Sequence, residues 1–387
     1  MSKLPGTGAA QFGGIFSAGR FSQSRALEES PAFEESLGSA LGRLGRWVFK
    51  RSGVSYLSGV FHAMAYLLRS LRGRFDWHGT PLKRGLIATK YIVRTLSMPR
   101  QHVSHLSFIY GNRRLDGYRC RDPRLLERHF HRYMHVQWNR QARLQSIRQH
   151  YRFALTELPS LLFEAIYIYG NATLGYLTLK DGSQLKICLQ PPIFLGCEGE
   201  LCLQLSDVRD RPLYRIVFSV IDADPTIAIG CLQGPDGAEA KDTVRDLTRN
   251  MYGMRPKQLM LSLVYAFARH HGIERIVAVG NAAHPLRRAR RVFQADYDAF
   301  WLEQKGHDGG DGWFVLPGMP IRKTEADVAS NHRSAFRRRE ALRIEAEQLL
   351  TATLEIFPVH RVKTVPAYEL ESLESSPCDR LEASWIH

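Results

Sequence analysis

The segment from Thr226 to His284 constrains the fold most, because two short apolar runs flank a long apolar helix. Thr226–Leu232 and Ile273–Val279 have the length and composition of buried strands. Pro256–His271 lies between them, and its proline suits the first position of a helix. Two strands joined by such a helix are predicted to lie parallel in one sheet, through a right-handed crossover.

The preceding segment has short strand patterns separated by turn residues. The predicted strands are Phe163–Tyr169, Leu174–Leu179, Gln184–Leu189, Leu201–Ser206 and Leu213–Ile221. Short connections favour antiparallel neighbours. Long helices are predicted over Asp122–His150 and Asn331–Leu354. The sequence therefore predicts an α+β fold with a mixed, mostly antiparallel sheet and one βαβ crossover.

Positive charge is concentrated at the N-terminal side of this 387-residue chain. Residues 1–150 contain 25 Lys/Arg and 8 Asp/Glu, whereas the whole chain has a formal net charge of +15. We predict a flexible segment at 1–40, a basic helical region at 41–150, an α+β core at 151–355 and a weakly structured tail at 356–387.

The basic region favours anionic partners. A membrane surface or another envelope component fits its mixture of apolar and basic residues, and nucleic acid is less favoured because no known binding motif is found. The six cysteines form no CxxC pair, and no apolar run is long enough for a signal peptide core or a membrane span. These features predict a cytoplasmic protein, with peripheral attachment to the inner membrane as a further expectation.

The turn before the crossover helix has the residue types that bind phosphate. Gly253 can adopt a positive φ, and Arg255 and Lys257 flank backbone N–H groups at the helix N-terminus. The end of the preceding strand is expected at the same place. The predicted cofactor-binding residues are Gln233, Gly234, Tyr252, Gly253, Arg255 and Lys257. The alternative is an ordinary crossover helix with solvated cations.

Acidic and aromatic residues after the second parallel strand are candidates for proton transfer. Asn281 follows this strand and could orient a substrate, while Asp296 and Tyr297 could act as acid or base. The alternative is a helix with solvated acids and core aromatics.

A His-x-His-x3-His pattern at His129, His131 and His135 falls within the predicted long helix. Two of these side chains would share a helix face and could hold a metal. The neighbouring arginines oppose a cation, so no metal site is predicted.

The order of elements resembles that of the GNAT acyltransferases. That resemblance implies an acyl-CoA cofactor whose pyrophosphate lies at the crossover turn, and an Asn after the next strand. The usual Gln/Arg-x-x-Gly-x-Gly/Ala turn is present only in outline, at Arg249–Gly253. Tyr297 lies sixteen residues after Asn281, farther than the general acid of that family.

Seven blocks of sequence, in order over residues 85–355, resemble the bacterial VirK/YbjX family. They are HYRF, LYRIVFSV, IGCLQGP, YGMRPKQL, GIERIVAVGNAAH, ADYDAFWLE and SAFRRREALR. The resemblance implies a bacterial protein linked to virulence, envelope stress and resistance to cationic antimicrobial peptides, without an established reaction. We therefore hold three hypotheses: an acyl-CoA-dependent acyltransferase, a non-enzymatic peripheral membrane adaptor, and a nucleic-acid-binding stress protein.

Overall fold

The computed structural model describes residues 54–192, 197–287 and 296–356. Its contacts divide the chain into two units, Met1–Met64 and Ala65–His387, and apart from residues 54–64 the features below belong to the second. The predicted flexible segment at 1–40, and all but the first residue of the predicted tail at 356–387, lie outside the described residues.

Helices precede the sheet. They are α1 (Val54–Ser70), α2 (Pro81–Leu96), α3 (Pro99–Tyr110), α4 (Arg113–Arg121), α5 (Arg140–Glu157) and the one-turn α6 (Ser160–Phe163). Polar side chains fix several starts: Asn112 accepts from the N–H of Leu115, and Asn139 accepts from the N–H of Ala142. Most of the described part of the basic N-terminal region is therefore helical, with non-helical stretches at 71–80 and 131–139.

The predicted long helix over Asp122–His150 is wrong. Asp122 does cap a helical start at Pro123, but only two 3₁₀ turns follow, Pro123–Leu126 and Arg128–Phe130. Met134 then has a φ of 50°, and its N–H bonds to the carbonyl of Cys197 at 2.7 Å. Tertiary hydrogen bonds thus replace helical ones, and a new helix begins only at α5.

A buried ionic cluster explains why the chain is held in this shape. The Arg128 guanidinium is 1% exposed and donates to the fully buried Glu200 carboxylate, which also accepts from Tyr151. Arg128 further donates to Asp122 at 2.8 Å and to the Tyr118 hydroxyl at 3.2 Å. We call Arg128, Glu200, Asp122, Tyr118 and Tyr151 the buried arginine cluster.

The predicted strand over Phe163–Tyr169 is also wrong. Glu164–Tyr169 forms a π-helix that continues from α6 and ends at Gly170, whose φ is 87°. A short apolar run does not distinguish a strand from a buried helix. Here the helical form lets the Tyr167 hydroxyl contact His150 at 2.8 Å.

The described sheet has eight strands in the order β1-β2-β3-β4-β5-β6-β8-β7. They are β1 (Ala172–Thr178), β2 (Gln184–Gln190), β3 (Leu201–Asp207), β4 (Pro212–Ile221), β5 (Thr226–Gln233), β6 (Arg275–Val279), β7 (His307–Asp308) and β8 (Trp313–Leu316). Only β5 and β6 pair in parallel among these strands, with Ile227 opposite Ile276. The predicted α+β fold with a mixed, mostly antiparallel sheet is confirmed.

The crossover between β5 and β6 contains α7 (Ala240–Asn250) and the buried α8 (Pro256–His270). Two further helices follow β6, α9 (Tyr297–Glu303) and α10 (Arg333–Ile356). Phe267 of α8 packs against Phe218 of β4, with ring centroids 5.2 Å apart. Because α8 runs back along the sheet, its N-terminus lies at the edge where β5 and β6 end.

Among the described residues, none of the helices combines the length and apolar character needed to cross a bilayer.

Candidate functional site

The parallel strands separate at the edge where the sequence places the site. Their pairing ends at Ile229 and Ala278, whereas β5 continues to Gln233. The register against β4 shifts at the same point. A Cβ on Gly230 would lie 2.0 Å from the Glu198 carbonyl oxygen, so only glycine fits this irregular position. The last residues of β5, after Ile229, therefore have no partner in β6.

The side chain of Tyr297 occupies this position beside β5. Its hydroxyl accepts from the N–H of Leu232 at 3.1 Å and donates to the Cys231 Sγ at 3.5 Å. Burial raises the pKa of both the Tyr297 phenol and the Cys231 thiol well above their ordinary values. The phenol therefore retains its proton at neutral pH.

Asn281 joins β6 to the helix that carries Tyr297. Its amide donates to Asp296 at 2.9 Å, and its carbonyl oxygen accepts from the Tyr297 N–H at 2.8 Å. Asp296 also caps α9 by accepting from the N–H of Ala299. The hydrogen bond from Asn281 lowers the pKa of the exposed Asp296 carboxyl. The three predicted catalytic residues thus form one hydrogen-bonded group, in which Asp296 is ionised.

The two predicted phosphate-binding cations contact the other end of α9. Arg255 forms an ion pair with Glu303, and both side chains are nearly half exposed. The Lys257 ammonium lies 5.4 Å from the centroid of the Phe300 ring. Burial and the neighbouring Arg255 lower the pKa of Lys257. Arg255 and Lys257 therefore contact the same helix, α9, that Asn281 and Asp296 bond at its start.

The turn before α8 has the predicted backbone. Gly253 has a φ of 84°, and Tyr252 before it has a φ of 55°. Nothing lies within 4 Å of the position of a Cβ on Gly253, so this backbone is open. The centroid of the Tyr252 ring lies 6.0 Å from the Arg338 guanidinium of α10. Tyr252 therefore shapes the turn, and its ring contacts a different helix.

The end of β5 adjoins the same cations. Gln233 is exposed and pairs with Arg215 of β4. Gly234 lies against the ring of Tyr214. Burial raises the pKa of Tyr214 to about 12, although the charge of Arg255 acts in the opposite direction. Gln233 and Gly234 thus lie on the side of the edge occupied by Arg255.

Sequence reasoning missed three polar residues beside Tyr297. They are Cys231, Glu198 and His284. The Glu198 carboxylate oxygen and the His284 ring nitrogen are 3.2 Å apart. The His284 ring centroid is 5.5 Å from that of Tyr297. Cys231 and His284 fall inside the IGCLQGP and GIERIVAVGNAAH blocks, which are the available signal in the sequence. Glu198 lies in a turn with no recognisable pattern.

The three histidines considered as metal ligands have separate partners. His129 contacts His102, His131 lies near Glu127, and His135 bonds to the Asp311 carbonyl. Across the described ranges, no group of three or more His, Cys, Asp or Glu side chains is arranged to hold a metal.

A cleft of about 550 Å³ lies at the other end of β5, next to the turn that precedes this strand. It is lined by α5, which contributes Arg148 and Arg152, by Trp138 just before that helix, and by Asp222 of the turn. The predicted binding residue Gln233 lies at the opposite end of β5, so this cleft is separate from the candidate site.

Comparison with known proteins identifies relatives but no reaction. The family described as "Protein of unknown function (DUF535)" matches residues 82–351. "Uncharacterized protein YbjX" of Escherichia coli K12 is 28% identical over 289 residues, covering 73% of this chain and 86% of the relative. An uncharacterized protein of Haemophilus influenzae is 26% identical over 199 residues, covering 51% of this chain and 66% of the relative.

A protein of Mannheimia haemolytica named "Membrane protein LapB" is 26% identical over 154 residues, covering 38% of this chain and 63% of the relative. No solved structure gives a significant match.

Proposed function

We propose a function for this chain, which belongs to the DUF535 family, the family of YbjX. Because the names of its relatives state no reaction, the function is inferred from the geometry of the chain itself. We propose an acyltransferase that takes an acyl group from an acyl-CoA-type donor and passes it to an amine or hydroxyl of an envelope component. Such a modification accords with the roles in virulence, envelope stress and peptide resistance that the family resemblance implies.

One observation supports this proposal above the others. The short helix α9 begins with Tyr297, whose N–H bonds to Asn281, and it contacts the cations Arg255 and Lys257 farther along. A phosphate-bearing thioester needs both kinds of residue at one edge: cations for its phosphates and a proton donor near its sulfur.

Each residue has a stated role in the proposal. An acyl-CoA-type donor supplies an activated thioester. Arg255 and Lys257 bind its phosphates, and Gly253 leaves the turn backbone accessible. The acceptor nitrogen or oxygen attacks the thioester carbonyl carbon, and the C–S bond breaks. Tyr297 gives its hydroxyl proton to the departing thiolate, and the proton that the acceptor loses restores the hydroxyl. Asn281 positions Tyr297 through the first residues of α9, and the ionised Asp296 attracts a cationic acceptor.

The fit has one structural requirement. Arg255 is paired with Glu303, so a phosphate must replace the Glu303 carboxylate. Both groups are half exposed, and such pairs contribute little to stability, roughly 0–1 kcal/mol. An exchange of carboxylate for phosphate is therefore inexpensive.

Calorimetric titration with acetyl-CoA, longer acyl-CoAs and dephospho-CoA tests the proposal. We expect Arg255→Ala with Lys257→Ala to weaken binding at least tenfold, and Glu303→Gln to tighten it because it frees Arg255. Arg245→Ala is the matched control, since Arg245 is an exposed arginine paired with Asp242 on the neighbouring α7 and lies outside the turn. Absence of heat with every donor, or equal weakening by the control, would reject the proposal.

A further inference from the structure

A stripe of large apolar side chains lies on the solvent side of α2. Leu82 is 77% exposed, Leu86 is 56% exposed and Val93 is 60% exposed. They are separated by one and two helical turns, so they align along the helix. Ala88, Tyr91 and Thr95 are buried on the opposite side. This helix is therefore apolar on two faces, of which the fold covers one.

Cations border the stripe without acidic partners. Lys83, Arg84 and Lys90 are exposed on α2, and none makes an ion pair with any described residue. Asp76 is the only acidic residue in the sequence between Val54 and Tyr110, and it is held by the buried Arg74. The surface of α2 thus presents hydrocarbon and positive charge together.

The loop that leads into α2 adds a further exposed apolar group. Phe75 is 59% exposed, although its neighbours are fixed: Arg74 donates to Asp76 at 2.9 Å and lies over the Trp77 ring at 4.2 Å. An aromatic side chain held outward by a rigid loop is suited to enter an interface.

We propose that α2 docks on an anionic lipid bilayer, with Leu82, Leu86 and Val93 among the acyl chains and Lys83, Arg84 and Lys90 at the headgroups. Charge complementarity selects this partner. A second copy of the chain would present the same positive charge, and the formal net charge of +15 opposes that pairing. A nucleic acid would neutralise the cations but would leave the apolar stripe exposed to water. The inference is independent of the proposed reaction.

Vesicle co-sedimentation of the full chain tests the docking. We compare phosphatidylcholine vesicles with vesicles that also contain phosphatidylglycerol. Binding should require phosphatidylglycerol and weaken as salt is raised. Leu86→Glu with Val93→Glu should lower the affinity at least tenfold. Ile321→Glu is the matched control because Ile321 is a similarly exposed apolar residue elsewhere, at 71%.

A charge variant separates the two components of binding. Lys83→Gln with Lys90→Gln should weaken binding to the anionic vesicles and reduce its salt dependence, whereas Lys241→Gln on α7 should not. Unfolding midpoints of all variants are compared to confirm that they fold. The proposal is overturned if the Leu86/Val93 variant binds as well as the Ile321 control. It is also overturned if the stripe variant changes the oligomeric state in solution or DNA affinity instead of vesicle binding.

Discussion

The buried arginine cluster and the edge at α9 both consist of ion pairs, but their surroundings differ. Arg128 and Glu200 are at most 1% exposed, whereas Arg255 and Glu303 are 42% and 46% exposed. Water can replace a partner at the edge but not in the cluster. An arginine–glutamate pair therefore stabilises the fold when it is buried in the cluster, whereas at the exposed edge a ligand can replace one of its partners.

The pKa of the acid in each region reflects this difference. Burial raises the pKa of Glu200 to about 7 although Arg128 lowers it. At the edge, the hydrogen bond from Asn281 lowers the pKa of Asp296, whose carboxyl is exposed to water. The acid at the edge is therefore ionised and available to a ligand, while the buried acid depends on its arginine.

The largest expected effect comes from breaking the buried pair. Arg128→Met leaves Glu200 and Asp122 in the interior without their cation, and we expect a loss of about 3–5 kcal/mol in the free energy of unfolding. Urea unfolding measures it. Arg245→Met is the control, because the exposed Arg245–Asp242 pair should contribute less than about 1 kcal/mol. Similar losses in both variants would show that burial does not distinguish these pairs.

A second effect should appear on acidification. His150 is fully buried, accepts from the N–H of Val220 and has a pKa lowered by burial to about 3. The unfolded chain takes up this proton near pH 6.5, so stability is lost as pH falls below that value. Between pH 7 and 5, the loss attributable to this group should be about 2 kcal/mol.

The measurement compares the pH dependence of urea unfolding in the wild-type chain and in His150→Gln. The wild-type curve should fall more steeply over this interval, because the variant has no imidazole to protonate at this site. His105, with a pKa lowered by burial to about 4, contributes a similar slope to both proteins and cancels. Parallel curves would contradict the assignment of a buried neutral His150.

The smallest of these effects is expected at the edge. Asn281→Ala removes hydrogen bonds to Asp296 and to the Tyr297 N–H, with an expected cost of about 1–2 kcal/mol. Amide exchange of α9 should increase, since the helix loses its attachment to β6. Asn250→Ala, which removes one exposed hydrogen bond to Asp181, is the control. Unchanged exchange in α9 would show that Asn281 does not position Tyr297.

Much of the sheet could be predicted because its local pattern agrees with its final environment. The apolar runs of β5 and β6 and the proline at the start of α8 are sufficient to predict the parallel crossover. Asn281 and Lys257 could be expected at one edge because strand ends and the helix start meet there. The role of α9 as their common support could not be predicted, since it depends on side-chain contacts between segments distant in sequence.

The sequence by itself determined the strand–helix–strand unit, the basic helical region and the glycine turn at Gly253, because each follows from local periodicity or backbone preference. Tertiary structure alone decided that Asp122–His150 breaks into turns and that Glu164–Tyr169 is helical. The physical reason is that buried polar groups must find partners. Arg128 finds Glu200 and Tyr167 finds His150, and these distant contacts outweigh the local preference for a longer helix or a strand.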